Sequence, residues 1–158
     1  MKTESRLDEL GIKLVRPLEP IANYISVQRY GRLLFTSGSG PFEDGKIKYC
    51  GKLGLELSKE DGYAAARLTA VNIISTLKAR LGDLDLVEQI LKITGYVAST
   101  PGFVDMPAVI NGASDLLVEV FGDRGRHART AVSAPALPMN TPVEIEAVIL
   151  LSKEFENK

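Results

Sequence analysis

The sequence predicts an α+β fold in which two amphipathic helices cover one face of a mixed β-sheet. Apolar residues repeat at spacings of three and four over residues 58–81 and 106–121, as they do in helices that pack on a core. Segments of alternating apolar and polar residues, typical of strands, surround these stretches. The expected order is strand, strand, helix, strand, helix, strand, strand, which is an α+β pattern.

Turn and capping residues set the ends of the elements in the first half of the chain. The elements expected there are a short helix over 5–10, strands over 23–29, 32–37 and 47–50, and a long helix over 58–81. Gly31 marks a tight turn, so the first two strands are expected to form a hairpin. Ser58, followed by acidic residues, is a good N-cap for the long helix, and Gly82 ends that helix.

The second half of the chain contains longer strands. The elements expected there are a single capped turn over 85–88, strands over 90–98, 128–134 and 143–151, and a helix over 106–121. Alternation places Leu91 on the same face of its strand as Ile93 and Val97. In the last strand, Glu144 and Glu146 lie on the face opposite the apolar residues.

Two helices can cover only one face of the predicted sheet. Two segments of strand, Leu33–Phe35 and Val148–Leu151, are nevertheless apolar on both faces. The second face therefore needs a cover that this chain does not supply. We expect a homo-oligomer in which the sheets of different copies face each other.

Composition argues against several classes of function. The 158 residues carry a formal net charge of −1, and basic and aromatic residues do not interleave, so nucleic-acid binding is not expected. No apolar run is long enough to span a bilayer, and the charged N-terminus does not resemble a secretory signal. The single cysteine, Cys50, favours a reducing, cytoplasmic compartment. With one cysteine and one histidine, His127, no metal site is expected, and a Ser-His-Asp triad lacks a nucleophile motif.

Arg129, Glu144 and Glu146 are the residues that most suggest a site. Carboxylates on an otherwise apolar strand face are uncommon unless they are exposed or have partners. Arginine binds carboxylates with a planar fork of donors and stays charged when partly buried. On residue pattern alone, an ion pair between neighbouring strands is the simpler interpretation, and an anchor for a small acid is the alternative.

Three short motifs near the C-terminus resemble the signature of a known family. Arg129-Thr-Ala-Val, Leu137-Pro138 and Val143-Glu-Ile-Glu-Ala147 are similar to the C-terminal signature of the RidA family, also called YjgF or endoribonuclease L-PSP. Leu34-Phe-Thr-Ser-Gly-Ser-Gly-Pro41 resembles the second strand and glycine turn of that family. The likeness covers nearly the whole chain after residue 20. Other motifs of the chain differ from those of RidA proper and indicate a distinct branch of the superfamily.

The resemblance implies a chorismate-mutase-like fold and a homotrimer. In such a trimer the sheets form a central barrel, the helices lie outside, and the sites lie in clefts between subunits. The implied organisation is a lead-in over residues 1–20, a single RidA-like domain over 21–152 and a tail over 153–158.

The resemblance also implies an activity. RidA enzymes hydrolyse reactive enamines and imines of small 2-amino acids to 2-keto acids and ammonia, and they need no cofactor. Arg129 matches the arginine that clamps the substrate carboxylate, and Glu144 matches the glutamate that positions the attacking water. The other residues that match the substrate-binding positions are Tyr24, Gly38, Asn111 and Ala131. Glu146 is expected to be a structural partner for a buried group.

This chain departs from RidA proper at two positions of the site. Ala131 stands where RidA proper has a cysteine, so the shape of the pocket must differ. Gly38-Ser39-Gly40-Pro41 replaces the usual Gly-Gln-Ile/Leu-Pro turn and is expected to widen the cleft. Two other functions stay open: a regulatory module that binds a small carboxylate without turnover, and an endoribonuclease, which the single histidine and the absence of a basic patch disfavour.

Overall fold

A computed structural model describes residues 2–154 and shows an α+β fold in which helices pack against a five-stranded mixed sheet. The helices are α1 (Lys2–Glu9), α2 (Lys59–Leu81) and α3 (Met106–Phe121). The strands are β1 (Val27–Tyr30), β2 (Leu33–Thr36), β3 (Phe42–Glu43), β4 (Lys46–Ile47), β5 (Val87–Ala98), β6 (Ala128–Ala134) and β7 (Val143–Leu151). Residues 155–158 of the predicted tail lie outside the described residues, as does Met1 of the lead-in.

The strand order of the main sheet is β1-β2-β7-β5-β6. Only β5 and β6 pair in parallel, because α3 returns the chain to the starting end of the sheet between them. The other neighbours pair antiparallel, and β3 and β4 form a separate two-stranded hairpin. Strands β6 and β7, although consecutive in the sequence, are therefore separated by β5, and β6 is an edge strand.

The hydrophobic core lies between the sheet and helices α2 and α3. From the helices it contains fully buried aliphatic residues, among them Ile73, Ile74, Leu77, Ile110, Leu116 and Leu117. From the sheet it contains Leu34, Ile90, Ile93, Ile145 and Ile149. The two helices approach closely at Gly112, where an added Cβ would lie 2.0 Å from the backbone oxygen of Tyr63.

The opposite face of the sheet is not covered by any residue between 2 and 154. Phe35 is 41 % exposed and Tyr30 is 80 % exposed, and Val148 and Leu150 are only half-buried. Phe35, Val148 and Leu150 alternate with buried residues along β2 and β7, and Tyr30 of β1 pairs with Leu33. These residues therefore share one face. The expectation of an uncovered, partly apolar face is therefore met within the chain.

Local sequence signals located the ends of the two long helices. Ser58 and Asp61 form a capping box at the start of α2, and Gly82 adopts a left-handed conformation, φ 74°, at its end. Strands β6 and β7 also have the predicted bounds.

Other predicted bounds were wrong, because contacts distant in sequence set them. Helix α1 begins at Lys2 rather than Ser5, since the Asp85 carboxylate accepts hydrogen bonds from the backbone nitrogens of Lys2 and Thr3 at 2.7 and 2.9 Å. Because the Asp85 carboxylate binds α1, it does not cap the turn predicted over 85–88. Asp83 is instead the N-cap of a 3₁₀ turn over Leu84–Leu86, and β5 begins directly after this turn.

Strand predictions failed where the pairing is irregular. A register shift between Ile90 and Lys92 places Leu91 at a β-bulge, so Leu91 is 37 % exposed and does not share the buried face of Ile93. The first predicted strand is shortened to Val27–Tyr30, and the expected edge strand over 47–50 is only Lys46–Ile47.

No helix within residues 2–154 is long and apolar enough to cross a membrane.

The contact between α2 and α3 predicts that Gly112→Ala is strongly destabilising. The added methyl group meets the backbone of Tyr63, which cannot turn away as a side chain can, so the helices must separate. We expect urea unfolding to show a loss of about 1–3 kcal/mol in the free energy of unfolding. Gly102→Ala is the control, since nothing lies within 4 Å of its added Cβ, and it should change stability by less than about 0.5 kcal/mol. Equal effects for the two variants would contradict the close approach.

Candidate functional site

A cavity of about 380 Å³ opens beside the glycine turn that follows β2. Its walls come from residues 17–26, the turn over residues 37–40, the loop over residues 138–141, and Asn72 and Thr76 of α2. Tyr24, Gly38 and Glu144, three of the predicted site residues, line this cavity together. We call these three residues the glutamate pocket.

Gly38 leaves room for the carboxylate of Glu144. A Cβ added at Gly38 would lie 2.0 Å from Oε1 of Glu144, so any larger residue would displace this carboxylate. The backbone of the turn is held by Ser39, which exchanges hydrogen bonds of 2.9 Å with Ile145. These hydrogen bonds hold the glycine turn against β7, next to Glu144.

Glu144 is half-buried and accepts no hydrogen bond from any residue between 2 and 154. Burial raises the pKa of Glu144 above its ordinary value, and the negative charge of Glu146 raises this pKa further. A carboxylate with a raised pKa, no partner and a place in a cavity is typical of a functional site. Glu146 itself is exposed, so its predicted role as partner of a buried group is wrong within this chain.

Arg129 and Asn111 form a second group at the junction of β6 and α3. Nη1 of Arg129 donates to Oδ1 of Asn111 at 2.7 Å and to Oγ of Ser114 at 3.2 Å. Asn111 and Ser114 are three residues apart on α3 and therefore project from the same side of the helix. Oγ of Ser114 also lies 3.0 Å from Nε2 of His127, whose Nδ1 lies 2.6 Å from the carbonyl oxygen of Gly125.

We call Asn111, Ser114, His127 and Arg129 the arginine cluster. Burial lowers the pKa of His127, and the positive charge of Arg129 lowers it further, against the raising effect of the hydrogen bond to Gly125. Both effects favour the neutral form of the imidazole. Ala131, the sixth predicted site residue, lies next to this cluster on β6, in register with Gly95, and packs partly against the core.

The two groups lie on opposite faces of the sheet. Arg129 is in register with the buried Ile93 and shares the face covered by α3, whereas Glu144 is in register with Tyr96 on the uncovered face. Strand β5 also lies between β6 and β7, so the backbones that carry Arg129 and Glu144 are two strand spacings, about 10 Å, apart. The structure therefore excludes an Arg129–Glu144 ion pair between neighbouring strands of one chain.

Ser114 and His127 were not predicted as site residues. The sequence lacks a nucleophile motif that would make His127 part of a Ser-His-Asp triad, and the structure pairs its ring with Ser114 of α3. One signal could have found the pair: His127 and Arg129 are two residues apart at a strand, so they project to the same side.

One group of acidic residues within 2–154 has the spacing to hold a metal ion, with Glu4, Asp83 and Asp85 inside 4.8 Å of one another. Protein donors already bind one oxygen of Glu4 and both oxygens of Asp85, whereas Oε2 of Glu4 is buried without a hydrogen-bond partner among the described residues. Oδ1 of Asp85 accepts from the Thr3 hydroxyl at 2.6 Å, and Oε1 of Glu4 accepts from Nζ of Lys78 at 2.7 Å. The group therefore serves to attach α1 to the rest of the fold.

Comparison with known proteins gives consistent matches over nearly the full length. Residues 4–151 match the family model described as "YjgF/chorismate mutase-like, putative endoribonuclease". Protein TCP17 of Trypanosoma cruzi is 41% identical over 152 residues, which cover 96% of this chain and 95% of that protein.

Two crystal structures are similar in both sequence and fold. The Agrobacterium tumefaciens protein Atu1372, whose function is unknown, is 44% identical with a TM-score of 0.90, covering 95% of this chain and 92% of that chain. A Shewanella oneidensis protein described as a "putative endoribonuclease" is 35% identical with a TM-score of 0.93, covering 96% of this chain and 100% of that chain.

The raised pKa of Glu144 predicts that Glu144→Gln stabilises the fold at neutral pH. Above the raised pKa, the ionised carboxylate costs free energy in the folded state, whereas below the ordinary value of 4.5 both states are protonated and the cost disappears. We expect a gain on the order of 0.5 kcal/mol at pH 7, reduced by solvent screening of this half-exposed group, and no gain below pH 4.5. Urea unfolding at the two pH values measures the difference. A variant less stable than wild type at pH 7 would show that the carboxylate has a stabilising partner.

Proposed function

Since the chain belongs to the YjgF/chorismate mutase-like family, we propose that it is an enamine/imine deaminase. The reaction is hydrolysis of small 2-imino and 2-enamino acids to 2-keto acids and ammonia. The observation that carries the proposal is the Glu144 carboxylate, which is half-buried beside a cavity, lacks a hydrogen-bond partner among residues 2–154 and has a raised pKa.

Such a carboxylate suits the activation of a water molecule. The carbon of a protonated imine is already electrophilic, so the protein needs only to orient the substrate and supply a base. Glu144 accepts a proton from water while the water oxygen bonds to this carbon. The proton then passes to the nitrogen. The carbon–nitrogen bond breaks as the hydroxyl formed from the water gives its proton to Glu144, so the keto group forms and ammonia leaves. Glu144 finally gives this proton to the ammonia, which is released as ammonium. A raised pKa makes Glu144 a stronger base than an ordinary glutamate.

Arg129 is suited to bind the carboxylate of the substrate. Its Nη1 is bound by Asn111 and Ser114, and no residue between 2 and 154 accepts a hydrogen bond from its Nε or Nη2. These two nitrogens form an edge that can hold a carboxylate through two parallel hydrogen bonds. A 2-imino acid offers a carboxylate directly next to the reacting carbon.

The proposal includes an assembly, because one chain does not bring Arg129 and Glu144 together. A site that contains both residues forms only if the arginine cluster of one copy meets the glutamate pocket of another. The uncovered, partly apolar face of the sheet supports contact between copies. We propose a homotrimer in which these faces line a central barrel and three clefts lie between subunits.

Endoribonuclease is a second candidate, favoured by the descriptions of the family and of the S. oneidensis relative. The net charge of −1 gives the chain no overall attraction for a phosphate backbone. A regulatory module that holds a small carboxylate without turnover is the third candidate. It differs from the deaminase only in leaving its ligand unchanged.

The test is release of ammonia and 2-oxobutanoate from freshly generated 2-iminobutanoate. We expect the wild type to accelerate release, and Arg129→Ala and Glu144→Gln each to lower kcat/KM by about 100-fold or more, since each loses a group that acts on the substrate.

Matched controls are Arg126→Ala and Glu60→Gln, which remove exposed charges of the same signs outside the glutamate pocket and the arginine cluster. Both should stay within about threefold of wild type. An inactive wild type, or full activity in Arg129→Ala, would rule out the deaminase. RNA cleavage that survives purification and disappears in Glu144→Gln would favour the nuclease instead.

A further inference from the structure

A chain of hydrogen bonds leads from the backbone to the guanidinium of Arg129, and the proposed reaction assigns it no role. The chain begins at the carbonyl oxygen of Gly125, which can only accept a hydrogen bond. Nδ1 of His127 lies 2.6 Å from this oxygen and therefore carries a proton. In the neutral ring, Nε2 is then an acceptor. The contact with Gly125 thus determines which nitrogen of a neutral His127 ring carries the proton.

The fixed tautomer determines the direction of the next hydrogen bond. Oγ of Ser114 lies 3.0 Å from Nε2 of His127, so the Ser114 hydroxyl donates its proton to the ring. The lone pairs of Oγ remain available as acceptors, and Nη1 of Arg129 donates to one of them at 3.2 Å.

The helical hydroxyls of α2 behave differently. Thr69, Ser75 and Thr76 each donate to the backbone carbonyl four residues earlier, at 2.8, 2.7 and 3.0 Å. That bond is the usual one for a hydroxyl inside a helix. Ser114 instead directs its proton to His127, so its hydroxyl is oriented toward the arginine cluster rather than toward its own helix.

The consequence for Arg129 is a defined orientation. Nη1 has two hydrogens, and Asn111 and Ser114 accept one each, at 2.7 and 3.2 Å. A guanidinium is planar, so fixing Nη1 fixes the whole group. The edge formed by Nε and Nη2 has no acceptor among residues 2–154 and is available to a ligand.

We propose that His127 and Ser114 are positioning residues that hold the Arg129 guanidinium so that its Nε–Nη2 edge faces the carboxylate of the substrate. This inference rests on the part of the proposed function that makes Arg129 a carboxylate anchor. It does not require that the ligand is turned over.

Substitutions can separate positioning from simple packing. Ser114→Ala removes the link, and His127→Phe keeps a flat ring of similar size but offers Ser114 no acceptor. His127→Gln is the conservative control, because its side-chain oxygen can accept from Ser114 as Nε2 does.

We expect Ser114→Ala and His127→Phe each to raise KM for 2-iminobutanoate by about tenfold with kcat within about twofold of wild type. A raised KM with unchanged kcat is the result when binding weakens equally in the ground state and the transition state. A tenfold change is the order expected for one lost hydrogen bond to a charged group. His127→Gln should stay within about threefold of wild type. The double variant should be no worse than either single variant, because both act through one chain of bonds.

Binding of 2-oxobutanoate, measured by calorimetry, is the second readout and does not depend on catalysis. Ser114→Ala and His127→Phe should weaken it about tenfold, and His127→Gln should not. Unchanged binding in Ser114→Ala, additive losses in the double variant, or a fall in kcat at constant KM would overturn the inference.

The two readouts separate this inference from the proposed function. If the wild type binds 2-oxobutanoate with this pattern but hydrolyses no imine, the deaminase proposal fails and the positioning role stands. If the wild type is active and Ser114→Ala is normal in both KM and binding, the positioning role alone fails. A wild type that neither hydrolyses 2-iminobutanoate nor binds 2-oxobutanoate contradicts both.

Discussion

The position of β5 between β6 and β7 is the constraint on which the site depends. Helix α3 returns the chain so that β6 pairs in parallel with β5 at the edge of the sheet, and β7 then pairs on the other side of β5. Residues close in sequence, Arg129 and Glu144, are thereby placed on different strands and on opposite faces. Any function that uses both residues needs a second copy of the chain, and the uncovered face of the sheet supports such an assembly.

The glutamate pocket is built at some cost to stability. Glu144 is half-buried without a hydrogen-bond donor between residues 2 and 154, and Glu146 adds a like charge on the same face. Gly38 leaves the space that this carboxylate occupies. Interactions elsewhere offset the cost, above all the core between α2, α3 and the sheet. The arginine cluster differs, since its side chains are joined by a continuous set of hydrogen bonds, although Nε and Nη2 of Arg129 have no acceptor among residues 2–154.

Local sequence signals predicted the helices and the outline of the sheet well. The capping box at Ser58, the glycine at position 82 and the alternation over residues 143–151 depend on residues that are neighbours in sequence, and the structure agrees with each. Strand order, the bulge at Leu91 and the start of α1 depend on contacts between distant segments, which periodicity does not encode. The pairing of Ser114 with His127 is of the same kind, because it requires knowing how α3 lies against β6. Family resemblance predicted Arg129 and Glu144 as site residues. It could not show that one chain places them on different strands and on opposite faces of the sheet.

If each chain contributes Arg129 to one site and Glu144 to another, two variants that are inactive alone should regain activity when they assemble together. Chains that carry Arg129→Ala and chains that carry Glu144→Gln, labelled with different affinity tags, are co-expressed, and assemblies that contain both are purified. In a trimer whose sites each take the arginine from one copy and the glutamate from its neighbour, a mixed assembly regains one intact site, so activity on 2-iminobutanoate should recover to about one third of wild type. Mixed assemblies that are as inactive as either parent would contradict the shared site.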